Sequence, residues 1–524
     1  MSMVALPQRI ASAFVVHVGK YGDVTRAAQE RGVCRQSIYR EAKLVVVHLE
    51  GKAHREEVAS LRQRVQELEQ ALAKLQERMA HSVILDKEKQ KEFASVGQGI
   101  GVSLPALRVL LQVLLSGKAP SVAKLGRWTQ AIGKHCGLLL KVLDKYTRPR
   151  VRQAVPDEMF VSQPVLMVVE PESLCWVTGR KLDGPVTGAA WTEEFGKLRA
   201  LEQVTRDAGV CLGRGLADLN AKRLARGRKA IPDQLDHFHV LREGSCSAGR
   251  MERAARRAFT KLEEAEAKLA ECQRQGERSS SGCQSRLRAC RRKAELAMDL
   301  WGQRERTWRQ VKGALQPFTP QGELNTRAKA EAVLAKTLPE LPDKEFGKFK
   351  RLVRRPETLT YLDEIQRKLG ELPLPSEVVK AAVRHEGLQR RPELLQRETP
   401  KAGALRGVLV ACAVVLAQVG DVGHRAVEAV RAILRKSWRA SSLVECVNGV
   451  VRMQQARHRK MSQGLIDLKR LYWNCHILRT GRRRGKSPYQ RLGVVLPEGL
   501  HWWDMLKWSP EQLKEKLSAL NMPP

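Results

Sequence analysis

The chain has 524 residues, with 93 Lys and Arg against 56 Asp and Glu, a formal net charge of +37 and a pI near 10.2. Its length predicts two to four domains, and a hydrophobic content of 43% excludes wholesale disorder. Positive charge spread along the whole length calls for a polyanionic partner, with nucleic acid ahead of an anionic membrane.

The opening stretch, Met1 to Ile10, lacks the basic-then-apolar order of a secretory signal. From about Gln8 to Val47 the spacing predicts a helix-turn-helix, giving a DNA-binding domain over 1–48. Thr25 to Arg31 forms a short helix, Gly32 permits the turn, Val33 plugs the interface, and Arg35 starts the next helix. The second helix of such a unit enters the major groove, so Arg35, Gln36, Ser37 and Arg40 are candidate DNA contacts while Ile38 faces the small core. A heptad seam follows: Val58, Leu61, Val65, Leu68, Leu72, Leu75 and Met79 alternate at steps of three and four. It predicts a coiled coil over 49–90, either as a homodimer pairing two DNA-reading heads or as an intramolecular antiparallel pair. Residues 91–157 read as a helical linker.

Near Val155 the texture changes. Val165 to Glu170 is a continuous β-prone run ending in an acid, as a sheet-core strand would, and Ser173 to Gly179 is its hairpin partner. Leu201 to Gly209 is a short strand closing on Asp207, followed by a helix from about Val210 to Arg226. Ile231 to Val240 is a further strand running into a helix. This α/β order defines a first core segment, 158–245. Residues 246–405 read as an all-helical insertion, with the serine-rich stretch 276–282 as the turn between two arms. The eleven cysteines include no Cys-x-x-Cys pair, even around Cys272, Cys283 and Cys290. That argues for reduced thiols in a cytoplasm, against a disulfide framework and against a ligand-spaced zinc site. The most apolar run, Gly407 to Val419, is shorter than the roughly 20 residues that span a bilayer. It reads as a buried helix, and no membrane association is expected. It opens the second core segment, 406–495, and residues 496–524 form a tail whose Trp502, Trp503 and Trp508 read as packing.

Within that second segment, Glu445, Asn448 and Arg452 share a helix face at i, i+3 and i+7, just before the basic run Arg457, His458, Arg459 and Lys460. A carboxylate on a rigid helix beside clustered cations suits metal-dependent chemistry on a phosphate backbone. Arg452, Arg457, Arg459 and Lys460 are the candidate phosphate contacts. With Glu170 and Asp207 ending strands, three acids are available to hold two Mg2+ or Mn2+ ions, hard cations that favour oxygen ligands.

The string Ser441-Ser442-Leu443-Val444-Glu445-Cys446-Val447-Asn448 resembles the third-acid block of bacterial insertion-sequence transposases of the acidic-triad (DDE) type. So do Gly464 to Asn474 and Ser487-Pro488-Tyr489, and Asp236-His237-Phe238-His239 is similar to the stretch after the second acid. The resemblance covers about 200 residues in two pieces. It implies an RNase H-like catalytic core interrupted by the helical insertion, a predominantly helical protein overall, and a transposase that cleaves and rejoins double-stranded DNA at element ends. It also implies Asp207 and Glu445 as second and third metal ligands, and a bacterial, nucleoid-associated location. His237 and His239 would either position DNA or metal or be buried structural histidines. The family's first acid is Asp; here Glu170 takes that place, with Glu172 and Asp183 as alternatives. A glutamate there implies either an adapted site or a catalytically impaired copy, and a DNA-binding regulator without nuclease activity is the alternative function.

Overall fold

The computed structural model describes residues 5–50, 55–80, 85–275, 280–437, 439–455 and 461–521. They fall into two compact units, Met1–Lys89 and Gln90–Pro524. The basic run at Arg457, His458, Arg459 and Lys460 lies outside the described residues, as does most of the serine-rich turn.

In the first unit the described helices are α1 (Ala5–His17), α2 (Asp23–Glu30), α3 (Arg35–Glu50) and α4 (Arg55–Ala80). Helix α2 stops because Gly32 takes φ 61°, a region open to glycine. The Gly32 N–H then bonds the Gln29 carbonyl and the Val33 N–H that of Ala28, the paired bonds of a Schellman cap. Ala28, Ile38, Ala42 and Val45 form a small core, so Ile38 faces inward as expected. Val33 does not plug the interface. It is 37% exposed, and Ala28 with Ile38 closes the space without it. Arg31 links the helices, donating to Ser12 Oγ at 2.6 Å and to Glu41 Oε1 at 3.0 Å. Arg35, Gln36 and Arg40 are exposed along α3.

The second unit begins with helices α5 (Lys87–Ile100), α6 (Leu104–Leu114) and α7 (Val122–Thr147). Strands β1 (Gln153–Val161), β2 (Gln163–Glu170) and β3 (Cys175–Lys181) follow as an antiparallel meander. Helix α8 (Gly188–Gly196), β4 (Gln203–Arg206), α9 (Val210–Leu224) and β5 (Asp233–Leu235) complete a mixed five-stranded sheet. Its order is β3-β2-β1-β4-β5, with β4 parallel to both β1 and β5. β1 is therefore the central strand. It was not expected: Pro156, Asp157 and Glu158 interrupt the apolar run, and proline argues against an interior strand.

Helices α10 (His237–Arg274) and α11 (Ser280–Ala314) form a long hairpin. All eleven cysteines are free thiols, although Cys272 and Cys283 approach to 3.1 Å between the arms. Then come α12 (Arg327–Thr337), α13 (Asp343–Val353), α14 (Thr360–Gly370), α15 (Ser376–Gln389), α16 (Pro392–Leu395), α17 (Pro400–Gln418) and α18 (Asp421–Lys436). The last helices are α19 (Ser442–Gln455), α20 (Gln463–Cys475), α21 (Pro488–Arg491) and α22 (Pro510–Leu520).

Two apolar cores organise this unit. One joins the sheet to α7, α19 and α20; the other is helical and includes Trp308, Phe346, Phe349 and Tyr361. Leu416, Ala426, Val430 and Leu434 belong to the second core. Helices α17 and α18 are thus part of the insertion, which runs from the end of β5 to about residue 436, and the boundary expected at 405 is too early. Nor is α17 a buried helix. Only Ala402, Leu405, Cys412 and Leu416 are buried, while Val410, Val414 and Val415 are exposed. By length and composition it is one helix apolar enough to cross a membrane, with a mean hydropathy of 1.6.

Candidate active site

Successive residues of a strand face opposite sides of a sheet. On β1 this separates two adjacent acids. Glu158 accepts a hydrogen bond from Trp191 Nε1 of α8 at 2.9 Å, whereas Asp157 Oδ2 accepts from Asn448 Nδ2 of α19 at 2.5 Å. Asp157 Oδ1 also accepts from the Glu158 N–H at 2.8 Å. The parallel pairing of β1 with β4 sets Ala154 opposite Val204. Three residues beyond that pair come Asp157 on one strand and Asp207 after the other. Asp207 follows β4 directly, and its Oδ1 accepts from the Gly209 N–H at 2.8 Å, which fixes the turn into α9. Glu445 lies on α19 one turn before Asn448 and is paired with Arg452 at 2.7 Å.

Electrostatics ties these acids together. Burial pushes Asp157 up to about 6, helped by the negative charges of Asp207 and Glu445 and opposed by the hydrogen bonds from Glu158 and Asn448. The charges of Asp207 and Glu445 are thus felt at Asp157. Asp157 was not among the candidates read from the sequence, where its signal is a pair of acids flanked by Ala-Val-Pro and Met-Phe-Val.

Glu170 ends a strand, as the sequence predicts, but its carboxylate is occupied by the chain around it. It ends β2, opposite Cys175, and its carboxylate closes the β2–β3 turn. Oε2 accepts from the Ser173 N–H at 2.7 Å and from the Ser173 hydroxyl, and Oε1 accepts from the Glu172 N–H at 3.1 Å. Its oxygens are committed to the turn. Glu172 and Asp183 are exposed on loops.

The two candidate histidines separate because residues two apart on a helix face different ways. His237 is buried, donating from Nε2 to the Thr358 carbonyl at 2.6 Å and meeting the Tyr361 ring edge-on at 4.8 Å. Burial lowers its pKa to about 4, so it is a neutral core group away from any ligand role. His239 is half-exposed. Its Nδ1 lies 2.6 Å from Asp236 Oδ2, a bond that raises its pKa against the opposing effect of burial. The negative charges of Asp236, Asp207 and Asp157 act in the same direction. Asp236 is fully buried. It caps α10 through the Phe238 N–H at 2.6 Å and also accepts from the Ser441 hydroxyl. Hydrogen bonds from His239 and Ser441 overcome the upward push of burial and hold its carboxyl below its usual range.

The rest of the C-terminal block is framework. Arg470 pairs with Asp144 in the interior and donates to the Trp176 carbonyl at 2.8 Å. Asn474 bonds both the N–H and the carbonyl of Trp176, at 2.8 and 2.9 Å. Tyr489 is buried behind a capping box of Ser487 and Gln490, and Trp502 packs on Gly99.

Among the described residues no group of three or more His, Cys, Asp or Glu side chains is placed to hold a metal ion. The donor chemistry nevertheless fits a hard divalent cation. Asp157, Asp207 and Glu445 offer only oxygens, the charges of the latter two are felt at Asp157, and buried Asn448 Oδ1 has no hydrogen-bond partner. No family model matches the chain, and no curated protein matches it.

Proposed function

We propose that the protein is a DNA transposase whose RNase H-like core uses Asp157, Asp207 and Glu445 as its acidic triad. The observation that carries this reading is the placement of Asp157, a partly buried acid on the central strand bonded to Asn448 of α19, with Asp207 directly after the paired strand β4. Burial raises its pKa, and the charges of Asp207 and Glu445 add to a smaller degree. Carboxylates that repel one another are held together at a cost in stability, and such clusters are characteristic of functional sites. The sheet supports the reading as well: a hairpin-built antiparallel half carries one acid, and a parallel half carries the next. The first acid is then an aspartate, as the resemblance implies, and the glutamate that suggested an impaired copy drops out of the argument.

On this reading Asp157, Asp207 and Glu445 would hold Mg2+ or Mn2+. The chemistry such ions supply when bound is activation of water or a 3′-hydroxyl and stabilisation of the departing oxygen. Asn448 orients Asp157 through its amide. Arg452 holds Glu445 by charge. His239, whose pKa the hydrogen bond to Asp236 raises, would donate to a substrate phosphate when charged. Arg35, Gln36, Ser37 and Arg40 on α3 read the element ends in the major groove. The excess of positive charge serves the backbone of double-stranded DNA.

The test uses duplex oligonucleotides covering the DNA on either side of the reading frame, searched for inverted repeats. Asp157→Asn, Asp207→Asn and Glu445→Gln should each abolish Mg2+-dependent strand cleavage while leaving duplex binding unchanged. Cleavage that persists in all three variants would remove the triad.

A further inference from the structure

Helices α10 and α11 run on as a two-helix arm beyond the helical core. That core ends at Met251 on α10 and resumes at Trp308 on α11, so Cys272 lies about 30 Å farther along its helix. The buried apolar side chains of the arm are Ala255, Leu262, Ala265, Cys272 and Ala294, most of them small. A seam with so little apolar surface holds two helices weakly, and its outer turns open at low cost. At that outer end the Sγ atoms of Cys272 and Cys283 approach to 3.1 Å across the arm.

We propose that Cys272 and Cys283 are a dithiol that a hydroperoxide oxidises to a disulfide, clamping the outer end of the arm. Exposure sets the order of events. Cys283 is half-buried and open to a small oxidant, whereas Cys272 is 3% exposed. The Cys283 thiolate attacks the peroxide, the O–O bond breaks, and a sulfenic acid forms with release of water or an alcohol. The Cys272 thiolate then attacks that sulfur. The S–S bond forms, the S–O bond breaks, and the departing hydroxide takes up a proton to leave as water. Two electrons pass from the thiol pair to the peroxide, and exchange with a small dithiol reverses the step. Lys268, one turn before Cys272, favours the thiolates. Its pKa is raised first by Glu271 and then by Cys272 and Cys283, so its cation stands near both sulfurs. Cys290 does not compete for Cys283, because it stands seven residues on along α11, about 10 Å away and beyond the reach of a disulfide.

The experiment treats the reduced full chain with hydrogen peroxide, blocks the remaining thiols with N-ethylmaleimide and digests the product with trypsin. It does not depend on the catalytic reading, because neither DNA cleavage nor duplex binding is scored. Mass spectrometry should find peptides 269–274 and 279–286 joined, lighter than their sum by two hydrogens and separated by dithiothreitol. Cys272→Ser should leave Cys283 as a sulfenic acid that dimedone traps, whereas Cys283→Ser should leave Cys272 reduced. Amide hydrogen exchange in the outer turns of α10 and α11 should slow on the order of a hundredfold on oxidation, the effect of closing a loop of about twelve residues. Absence of the joined peptides while exposed Cys34, Cys246 and Cys446 are oxidised, a disulfide from either cysteine to any other, or unchanged exchange would each overturn the proposal.

Discussion

Asp157→Asn should do two opposite things: abolish cleavage and make the ion-free protein more stable. The carboxyl titrates near 3.8 in an open chain and is pushed up to about 6 in the fold, mainly by burial. A carboxyl raised on folding adds nothing unfavourable below its unfolded pKa, where it is neutral in both states. It costs progressively more as pH rises through the folded value. A shift of about two units corresponds to about 3 kcal/mol at neutral pH, as an upper figure for a partly accessible group. Asparagine removes that cost with little new strain. The unpaired Oδ1 of Asn448 can accept from the new amide once Asn448 turns over, and the introduced carbonyl oxygen keeps the Glu158 N–H. The assay is urea unfolding followed by tryptophan fluorescence, which reports the second unit alone because all ten tryptophans follow residue 127. The variant and wild type should match near pH 4, diverge through about pH 6 and differ by about 2–3 kcal/mol above pH 7. Millimolar Mg2+ should narrow that gap by stabilising the wild type more than the variant. A variant no more stable than wild type at neutral pH, or a gap that ignores pH, would refute the account of Asp157.

Glu170→Gln should lower stability by about 1–2 kcal/mol, since a charged acceptor of turn N–H groups is lost, while cleavage per folded molecule stays at the wild-type rate; loss of cleavage in a folded variant would return Glu170 to the site. His237 is held neutral, with a pKa of about 4 in the fold, so its contribution is present above the ordinary histidine value of 6.5 and is lost as pH falls through about 4. His237→Gln should flatten acid unfolding in that window, measured by the same urea titrations. His239→Gln should lower stability, because fully buried Asp236 loses a partner, and should remove a decline in cleavage rate on the alkaline side, seen in a pH–rate profile. Arg35→Ala and Arg40→Ala should each weaken binding to the element end by about 1–3 kcal/mol and relax its preference over unrelated duplex, a shift that binding titrations on both duplexes resolve.

How far the sequence revealed this arrangement depended on whether function and folding asked for the same residues. Val165 to Glu170 was legible as a strand because nothing interrupts its apolar run, and all of it from Val165 onward is buried. β1 was opaque for the opposite reason. Its centre carries Pro156, Asp157 and Glu158, the residues local propensity assigns to a turn, and only pairing on both sides with β2 and β4 makes it a strand. The strand carrying Asp157 was therefore hidden by its own acids, while Glu170 was visible because it ends an uninterrupted apolar strand. Asp207 and Glu445 could be named as candidates because Asp207 follows a legible strand and Glu445 lies in the first turn of a legible helix. The division between His237 and His239 was not legible, since it depends on Thr358 and Tyr361, more than a hundred residues away. Helix α17 misled through composition: an apolar run implied burial, but only one side of it meets α15 and α18.

The stretch that resembles the third-acid block encodes position as much as chemistry. Ser441, Glu445, Asn448 and Arg452 follow one another at steps of four, three and four, a single face along α19. Two of the four are anchors. Ser441 donates to buried Asp236 at the end of β5, and Asn448 donates to Asp157 on β1. Glu445 lies between them, so its helix is fixed above and below by bonds to the two strands that flank β4 and Asp207. The anchors also couple the site to itself: Asp236 holds both Ser441 and His239, so its carboxylate sets the place of the helix and the charge of the histidine together. Asp236→Asn should therefore lower the pKa of His239 and loosen α19 in one step, whereas Ser441→Ala should loosen α19 with the histidine bond intact. Histidine titration by NMR in the two variants separates these effects, and equal pKa values for His239 in both would break the proposed link between them.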